Sequence, residues 1–449
     1  MLRANFRPNS CNQPMTKTSI NPSISVSHTT HSPRRKPRAA TTTATTPPTL
    51  DNDDCILVLQ GGGALGAYQA GVFEALDAGL HQPNWVAGMS IGAINAALIA
   101  GNAPGRRVAR LREFWDLVSA ALPVPPALPF SLLFSLPFSS PFAPWGLPAA
   151  SRVALNEASA NRAVLLGVPG FFSPRVPPAP FQPPGTTGAI SYYDSTPLRA
   201  TLERLVDFER LNSGAVRLSV GAVNVRSGNF AYFDTAHQRI DVRHILASGA
   251  LPPGFAPVEI DGEHYWDGGI VSNTPLQYVL DQPGSRPRTV FQVDLFAAAG
   301  ALPATLYEVT EREKDIRFSS RTRLNTAVEL DWQVIALAAQ RLAAKLPAAL
   351  QNDPDLQKLA SLGCHGAVDV VHLIYRSKHY ESQSKDYEFS RLSMREHWAS
   401  GQADMAHTLH DPRWLQRQPS ATGVRVFDLT ADVAADRRAL LSPPQRSPD

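Results

Sequence analysis

Ile56-Leu57-Val58-Leu59 runs through Gln60 into Gly61-Gly62-Gly63-Ala64-Leu65-Gly66, and Trp85-Val86-Ala87 runs into Gly88-Met89-Ser90-Ile91-Gly92. Each apolar run is short and continuous, as in a strand buried on both faces, and each ends in a glycine turn. Residues 67–76 between them have helix-forming composition. Ala93-Ile94-Asn95-Ala96-Ala97-Leu98-Ile99-Ala100 reads as a small-residue helix stopped by Gly101. A strand, loop, helix, strand, turn and helix in that order open a parallel α/β sheet.

Outward from this unit the pattern first breaks and then resumes. Residues 120–148 hold eight prolines among Leu128, Phe130, Phe134, Phe138, Phe142 and Trp145, a density that excludes regular helix or central strand. A second Pro/Phe-rich stretch covers 169–184, so 120–185 reads as an insertion. The sheet resumes near residue 190. Residues 198–205 look helical, 216–225 and 230–233 look like an antiparallel hairpin, and 290–295 like another buried strand. Beyond residue 305, stretches 306–350, 356–362 and 385–409 are helix-like, while 368–375 and 424–429 are strand-like. The expected division is a first domain over 54–295 and a mainly helical C-terminal module over 305–430 whose two strands join the main sheet. Tails over 1–53 and 431–449 flank them.

The 449 residues include 42 Lys or Arg and 39 Asp or Glu, a net charge of +3. The sign misleads, because residues 1–50 carry seven bases and no acid, leaving 35 bases against 39 acids elsewhere. The remainder is mildly acidic, so no nucleic-acid partner is expected. The first 53 residues are rich in Thr, Ser, Asn and Pro and cannot bury enough surface to offset ordering entropy; disorder is expected there. Arg34-Arg35-Lys36 resembles an organelle-targeting or nuclear-import signal, but basic runs are usually solvated charge, and a flexible tail is the preferred reading. Cys11, Cys55 and Cys364 are odd in number and lack metal-type spacing. They argue against a disulfide framework and fit a reducing compartment, and no metal or cofactor is expected. With no signal-peptide core and no proline-free apolar run of about 18 residues, a cytoplasmic chain without a transmembrane helix is expected.

Gly88-x-Ser90-x-Gly92 between strand and helix is the setting of a nucleophile elbow, in which the serine is held in a strained turn and its neighbours must be small. The following helix aims its N-terminal N–H groups at the reacting centre. Gly61 to Gly66 also fits a dinucleotide-binding loop, but that reading needs an acid ending the next strand, and the next strand ends at Gly88-Met89-Ser90. An oxyanion-binding loop is therefore preferred, with glycine needed for close approach of the acyl oxygen. Asp267-Gly268-Gly269 is the best candidate for a base. A hydrolase triad would instead use a late histidine. His365, His372, His379, His397, His407 and His410 are available by order, with His372 the one to test.

These three motifs, in this order, resemble the patatin-like phospholipase family. The likeness covers roughly 54–295 and includes Ala247-Ser248-Gly249-Ala250-Leu251-Pro252-Pro253. Residues 307–323 and 384–398 are similar to an additional C-terminal domain of some bacterial members. The resemblance implies a three-layer α/β fold with a mainly parallel sheet. It also implies a Ser-Asp dyad of Ser90 and Asp267, and oxyanion binding by Gly61, Gly62, Gly63 and Gly66. Gly88, Gly92, Gly268 and Gly269 would support the motifs. One departure is Leu65, where many members carry Arg or Lys, and it favours a less charged acyl substrate. A lipid or other acyl ester is the expected substrate, with peripheral contact at a membrane or lipid surface through 120–148. An acyltransferase or a polyester hydrolase would share the same acyl-enzyme, and a catalytically idle scaffold would not need all three motifs.

Overall fold

The computed structural model describes residues 54–79, 81–119, 149–282, 286–320, 322–361, 367–418 and 424–430. The expected tails and the Pro/Phe segment 120–148, with its proposed lipid contact, lie outside the described residues. The first apolar run forms strand β1 (Asp54–Leu59). Leu57 and Leu59 enter one core and Ile56 and Val58 the other, on the opposite face of the sheet. All four side chains are fully buried, each contributing up to about 1.5–3 kcal/mol.

β1 is flanked on both sides by parallel partners, β2 (Trp85–Gly88) and β9 (Arg288–Asp294). The remaining strands of the main sheet are β5 (Arg217–Asn224), β6 (Phe230–Asp234), β7 (Val258–Ile260), β8 (Glu263–Asp267), β10 (Val368–Ile374) and β11 (Val424–Phe427). Two short strands, β3 (Ser173–Pro174) and β4 (Tyr193–Asp194), form a separate ribbon. The order is β11-β10-β9-β1-β2-β5-β8-β7, with β6 also on β5. From β11 to β5 every pairing is parallel; β6, β7 and β8 are antiparallel additions. Helices α1 (Gly66–Ala78), α2 (Ile91–Ala100) and α3 (Arg107–Val118) cover one face, and the helix Leu276–Asp281 lies on the other. This is the mainly parallel, three-layer α/β fold that the resemblance implies, and it opens with the parallel strands read from the sequence.

Two stretches differ from expectation. Within the supposed insertion 120–185 lies an 18-residue helix, Ala149–Leu166. The prolines stop at Pro148 and resume at Pro169, and the proline-free interval between them is free to coil. At the other end, 385–390 is not helical. Ser390 caps the helix Arg391–His410, its Oγ accepting the Ser393 N–H at 3.2 Å. The residues ahead of that cap are spent on tertiary bonds, including Lys385 to Glu311 and Asp315 and Lys314 to Asp386.

No boundary near 295–305 interrupts the sheet. β10 pairs with β9 along seven positions from Val368 to Ile374, and β11 continues it. The helix Arg391–His410 lies along α1 with the backbones in contact, since a Cβ on Gly71 would overlap the Trp398 carbonyl oxygen and one on Gly401 would overlap that of Tyr68. All described residues fall into one compact unit.

Candidate active site

β2 ends at Gly88 and α2 begins at Ile91, which leaves Ser90 in the turn at φ 54°, ψ −122°. Among the described residues only Asp261 shares a positive φ without being glycine. Such a conformation costs of order 1–3 kcal/mol and persists where surroundings over-determine it. Here Met89 N–H donates to the Leu59 carbonyl at 3.0 Å and Ser90 N–H to Ser248 Oγ at 3.1 Å, while Ser90 O accepts from Ala93 and Ile94. Both flanking glycines are sterically required. A Cβ on Gly88 would overlap the Gly92 carbonyl, and one on Gly92 the Leu59 carbonyl.

Strand register brings Asp267 to this turn. β6 pairs with β5 from Ser219 to Val223, so β2, which pairs at Arg217–Val220, must occupy the other edge of β5. β8 pairs at Ala222–Asn224 and shares two of those positions with β6, which puts it on the same edge as β2. β2 runs parallel to β5 and β8 antiparallel, so their C-terminal ends converge head-on. Gly88 lies opposite Val220 and Asp267 opposite Ala222, two positions or about 7 Å along the edge.

The Asp267 carboxyl is buried, with the Ser90 side chain close enough to favour its ionised form. Its Oδ1 also accepts the Gly269 N–H at 2.7 Å, and its own N–H donates to the Ala250 carbonyl at 3.0 Å. Burial pushes this carboxyl up to about 7, with the Ser90 side chain and the Gly269 N–H pulling the other way. Gly268 is packed so closely that a Cβ would overlap the Met89 sulfur, and a Cβ on Gly269 would come within 2.9 Å of Asn273 Oδ1.

The glycine loop lies against the serine: a Cβ on Gly61 would sit 3.1 Å from Ser90 Cβ. Its N–H groups divide into two sets. Gly61 donates to the Asn273 carbonyl at 3.1 Å, Ala64 to the Asp386 carbonyl at 2.7 Å, Leu65 to the Gly62 carbonyl, and Gly66 back to Ala64 and Gly63. The N–H groups of Gly62 and Gly63 have no hydrogen-bond acceptor among the described residues. Of the four glycines expected to donate to an oxyanion, Gly61 and Gly66 are thus committed to holding the loop. A Cβ on Gly66 would press within 2.6 Å of Ile91, so that glycine serves packing. Leu65 is wholly buried in the core.

Three polar residues at the site carry no catalytic motif. Gln60 Oε1 accepts the N–H groups of Leu295 (2.6 Å) and Phe296 (3.0 Å), and its Nε2 donates to Thr274 Oγ1 and the Phe318 carbonyl. Asn273 holds Gly61 from both sides, accepting its N–H and donating Nδ2 to its carbonyl at 3.0 Å. Ser248 takes the Ser90 N–H. A glutamine closing a buried apolar run was the one available signal, since burial there demands partners. The histidines sit elsewhere. His372 Nε2 bonds Asp294 at 2.5 Å, His397 bonds Glu381, His407 pairs with Asp411, His410 bonds the Ala406 carbonyl, and His379 meets the Tyr380 ring edge to face. His365 lies outside the described residues.

A strained serine at a strand–helix turn, near a buried carboxyl and beside a glycine loop, is the arrangement of an α/β acyl-ester hydrolase. Comparison with family models is specific within that class. A model described as patatin-like phospholipase matches residues 57–280, and one described as patatin phospholipase matches 316–421. The chain belongs to the patatin-like phospholipase family, with an additional C-terminal region, and is a lipid acyl hydrolase. No curated protein matches it. Among solved structures it is similar to VipD from Legionella pneumophila, with 13% identity, 87% of this chain and 75% of that chain covered, and a TM-score of 0.27.

Proposed function

We propose that the chain hydrolyses acyl esters of lipids through a Ser90–Asp267 dyad, without a histidine. The Asp267 carboxylate takes the Ser90 hydroxyl proton as Oγ attacks the acyl carbonyl carbon. The Gly62 and Gly63 N–H groups receive the oxyanion, where each well-placed donor is worth about 3–4 kcal/mol. The leaving alcohol departs with the proton from Asp267, giving an acyl-Ser90 ester. Water, deprotonated by the same carboxylate, then attacks the acyl carbon; the bond to Oγ breaks, Asp267 returns the proton to Oγ, and the fatty acid leaves. One observation carries this reading: among the described residues, the strained Ser90 is the one side chain that acts on the buried Asp267 carboxyl, favouring its ionised form.

The substrate class proposed is a weakly charged lipid ester. Leu65, where many members carry Arg or Lys, is apolar and buried and offers no charge to a head group, and Leu251, Ile270 and Val271 are exposed on the segments flanking Asp267, suiting a lipid presented at a surface. A fluorophosphonate probe tests the chemistry. It should label wild type, fail on Ser90→Ala, and label Asp267→Asn at least about a hundredfold more slowly. Labelling of Ser90→Ala, or loss of labelling in His372→Ala with Asp267→Asn intact, would replace the dyad. Higher kcat/KM on a lysophospholipid than on a monoacylglycerol of the same chain length would overturn the head-group reading.

A further inference from the structure

The glycine loop is anchored at both ends by carbonyl groups from outside residues 57–280. At one end the Phe318 carbonyl accepts Gln60 Nε2 and Asn273 Nδ2, both at 3.0 Å, and the same Asn273 nitrogen holds the Gly61 carbonyl. At the other end the Asp386 carbonyl accepts the Ala64 N–H at 2.7 Å and lies so close to Gly63 that a Cβ there would overlap it. Gly62 and Gly63, whose N–H groups lack an acceptor among the described residues, lie between these anchors.

The two anchors are fastened to each other. The helix Leu306–Phe318 ends on the first, and Lys314, one turn before that end, reaches the second. Its Nζ donates to Asp386 Oδ1 at 2.7 Å and to the Gln383 carbonyl at 2.6 Å. A second lysine crosses the other way: Lys385 Nζ donates to Glu311 Oε1 at 2.9 Å, to Asp315 Oδ1 at 2.7 Å and to Ser377 Oγ. The two differ in burial. The Lys385 side chain is 1% exposed, and its loss would strand two carboxylates, a general stability defect. The Lys314 side chain is 20% exposed, so its loss slackens the clasp at modest cost to the fold.

We propose that Lys314 is a positioning residue for the reaction: by fixing Asp386 against the helix that ends at Phe318, it sets the separation of the loop's two anchors and so the aim of the Gly62 and Gly63 N–H groups. The proposal rests on the reading of those groups as oxyanion donors. Their contribution is realised as charge develops on the acyl oxygen, so a slack loop lowers kcat and leaves KM alone.

The test compares full-length Lys314→Met, Lys314→Arg and Ser90→Ala on a short-chain p-nitrophenyl ester, with kcat, KM, the pH profile and the thermal midpoint measured for each. Deleting an oxyanion donor costs about 10²–10³ in kcat, and displacing one costs less. Lys314→Met should therefore lose about tenfold in kcat, with KM within about twofold of wild type and an unchanged pH midpoint. Lys314→Arg, which keeps the charge and can reach the same oxygens, should recover most of the loss. Wild-type kcat in Lys314→Met, an equal loss in Lys314→Arg, or a loss that vanishes on cooling because it tracks unfolding would each overturn the proposal. Turnover by Ser90→Ala would instead overturn the reading of the site on which it rests.

Discussion

Asp267 sets two pH responses of opposite sense. As a base it must be ionised, so kcat/KM should rise with pH through about 7 and level off above it. Its effect on stability runs the other way. The folded carboxyl holds its proton to about pH 7, whereas the unfolded one releases it near 3.9. Between those values the folded state binds more protons, so this group's contribution is fully present below about pH 4 and is lost as pH rises to about 7. The loss is up to about 1.4 kcal/mol per pH unit in mid-window. Asp267→Asn removes the titration. Its urea midpoint should exceed that of wild type at pH 8 and the difference should shrink at pH 5, while kcat falls by at least about a hundredfold. An unchanged pH slope of the midpoint in the variant would show that the buried carboxyl is not what wild type loses.

At the scale of elements, the crossing of α1 with the helix Arg391–His410 depends on two glycines facing carbonyl groups. Alanine is the better helix former by about 1 kcal/mol, which would favour Gly401→Ala on an isolated helix. The obstacle is the Tyr68 carbonyl, a backbone atom that cannot rotate aside, so the helices must part and packing is lost. Overpacking of this kind costs about 1–3 kcal/mol, and the net change in urea-unfolding free energy should be destabilising. Gly71→Ala should act similarly, and the double variant should cost less than the sum, because once parted the helices accommodate both methyls. Nothing in the local sequence announces this contact, since Gly71 and Gly401 each sit inside a helix-like stretch. What could be read were features declared by local chemistry: strands β1 and β2 by continuous apolar runs, the turn at Ser90 by its glycines, Asp267 by its motif. The meeting of β8 and β2 end to end was not readable, because it depends on which edge of β5 each strand takes. Asn273 and the Asp386 carbonyl act on main-chain groups of distant segments, to which sequence is nearly silent.

For the whole molecule, the order of strands decides what unfolds with what. β9 lies between β1 and β10, so the centre of the sheet joins residues 54–59, 288–294 and 368–374. The site draws on Leu59, Ser90, Ser248, Asp267, Asn273, Phe318 and Asp386, and hence on both stretches matched by family models. If the C-terminal region were a separable module, its removal would expose only a polar surface. Instead it would uncover the β9 edge and the side of α1 on which Gly71 meets Trp398, both buried. A core shared so evenly leaves no cheap partial opening, since any element that leaves first exposes apolar surface on one that stays. The two regions should therefore open together. Hydrogen exchange followed by mass spectrometry along a urea series should show peptides over α2 and over the helix Arg391–His410 losing protection at the same concentration and in the same proportion of molecules. Loss of fluorophosphonate labelling should coincide with both. Exchange in the C-terminal helix at clearly lower urea, with α2 still protected and Ser90 still labelled, would show instead that the shared sheet divides into two folding units.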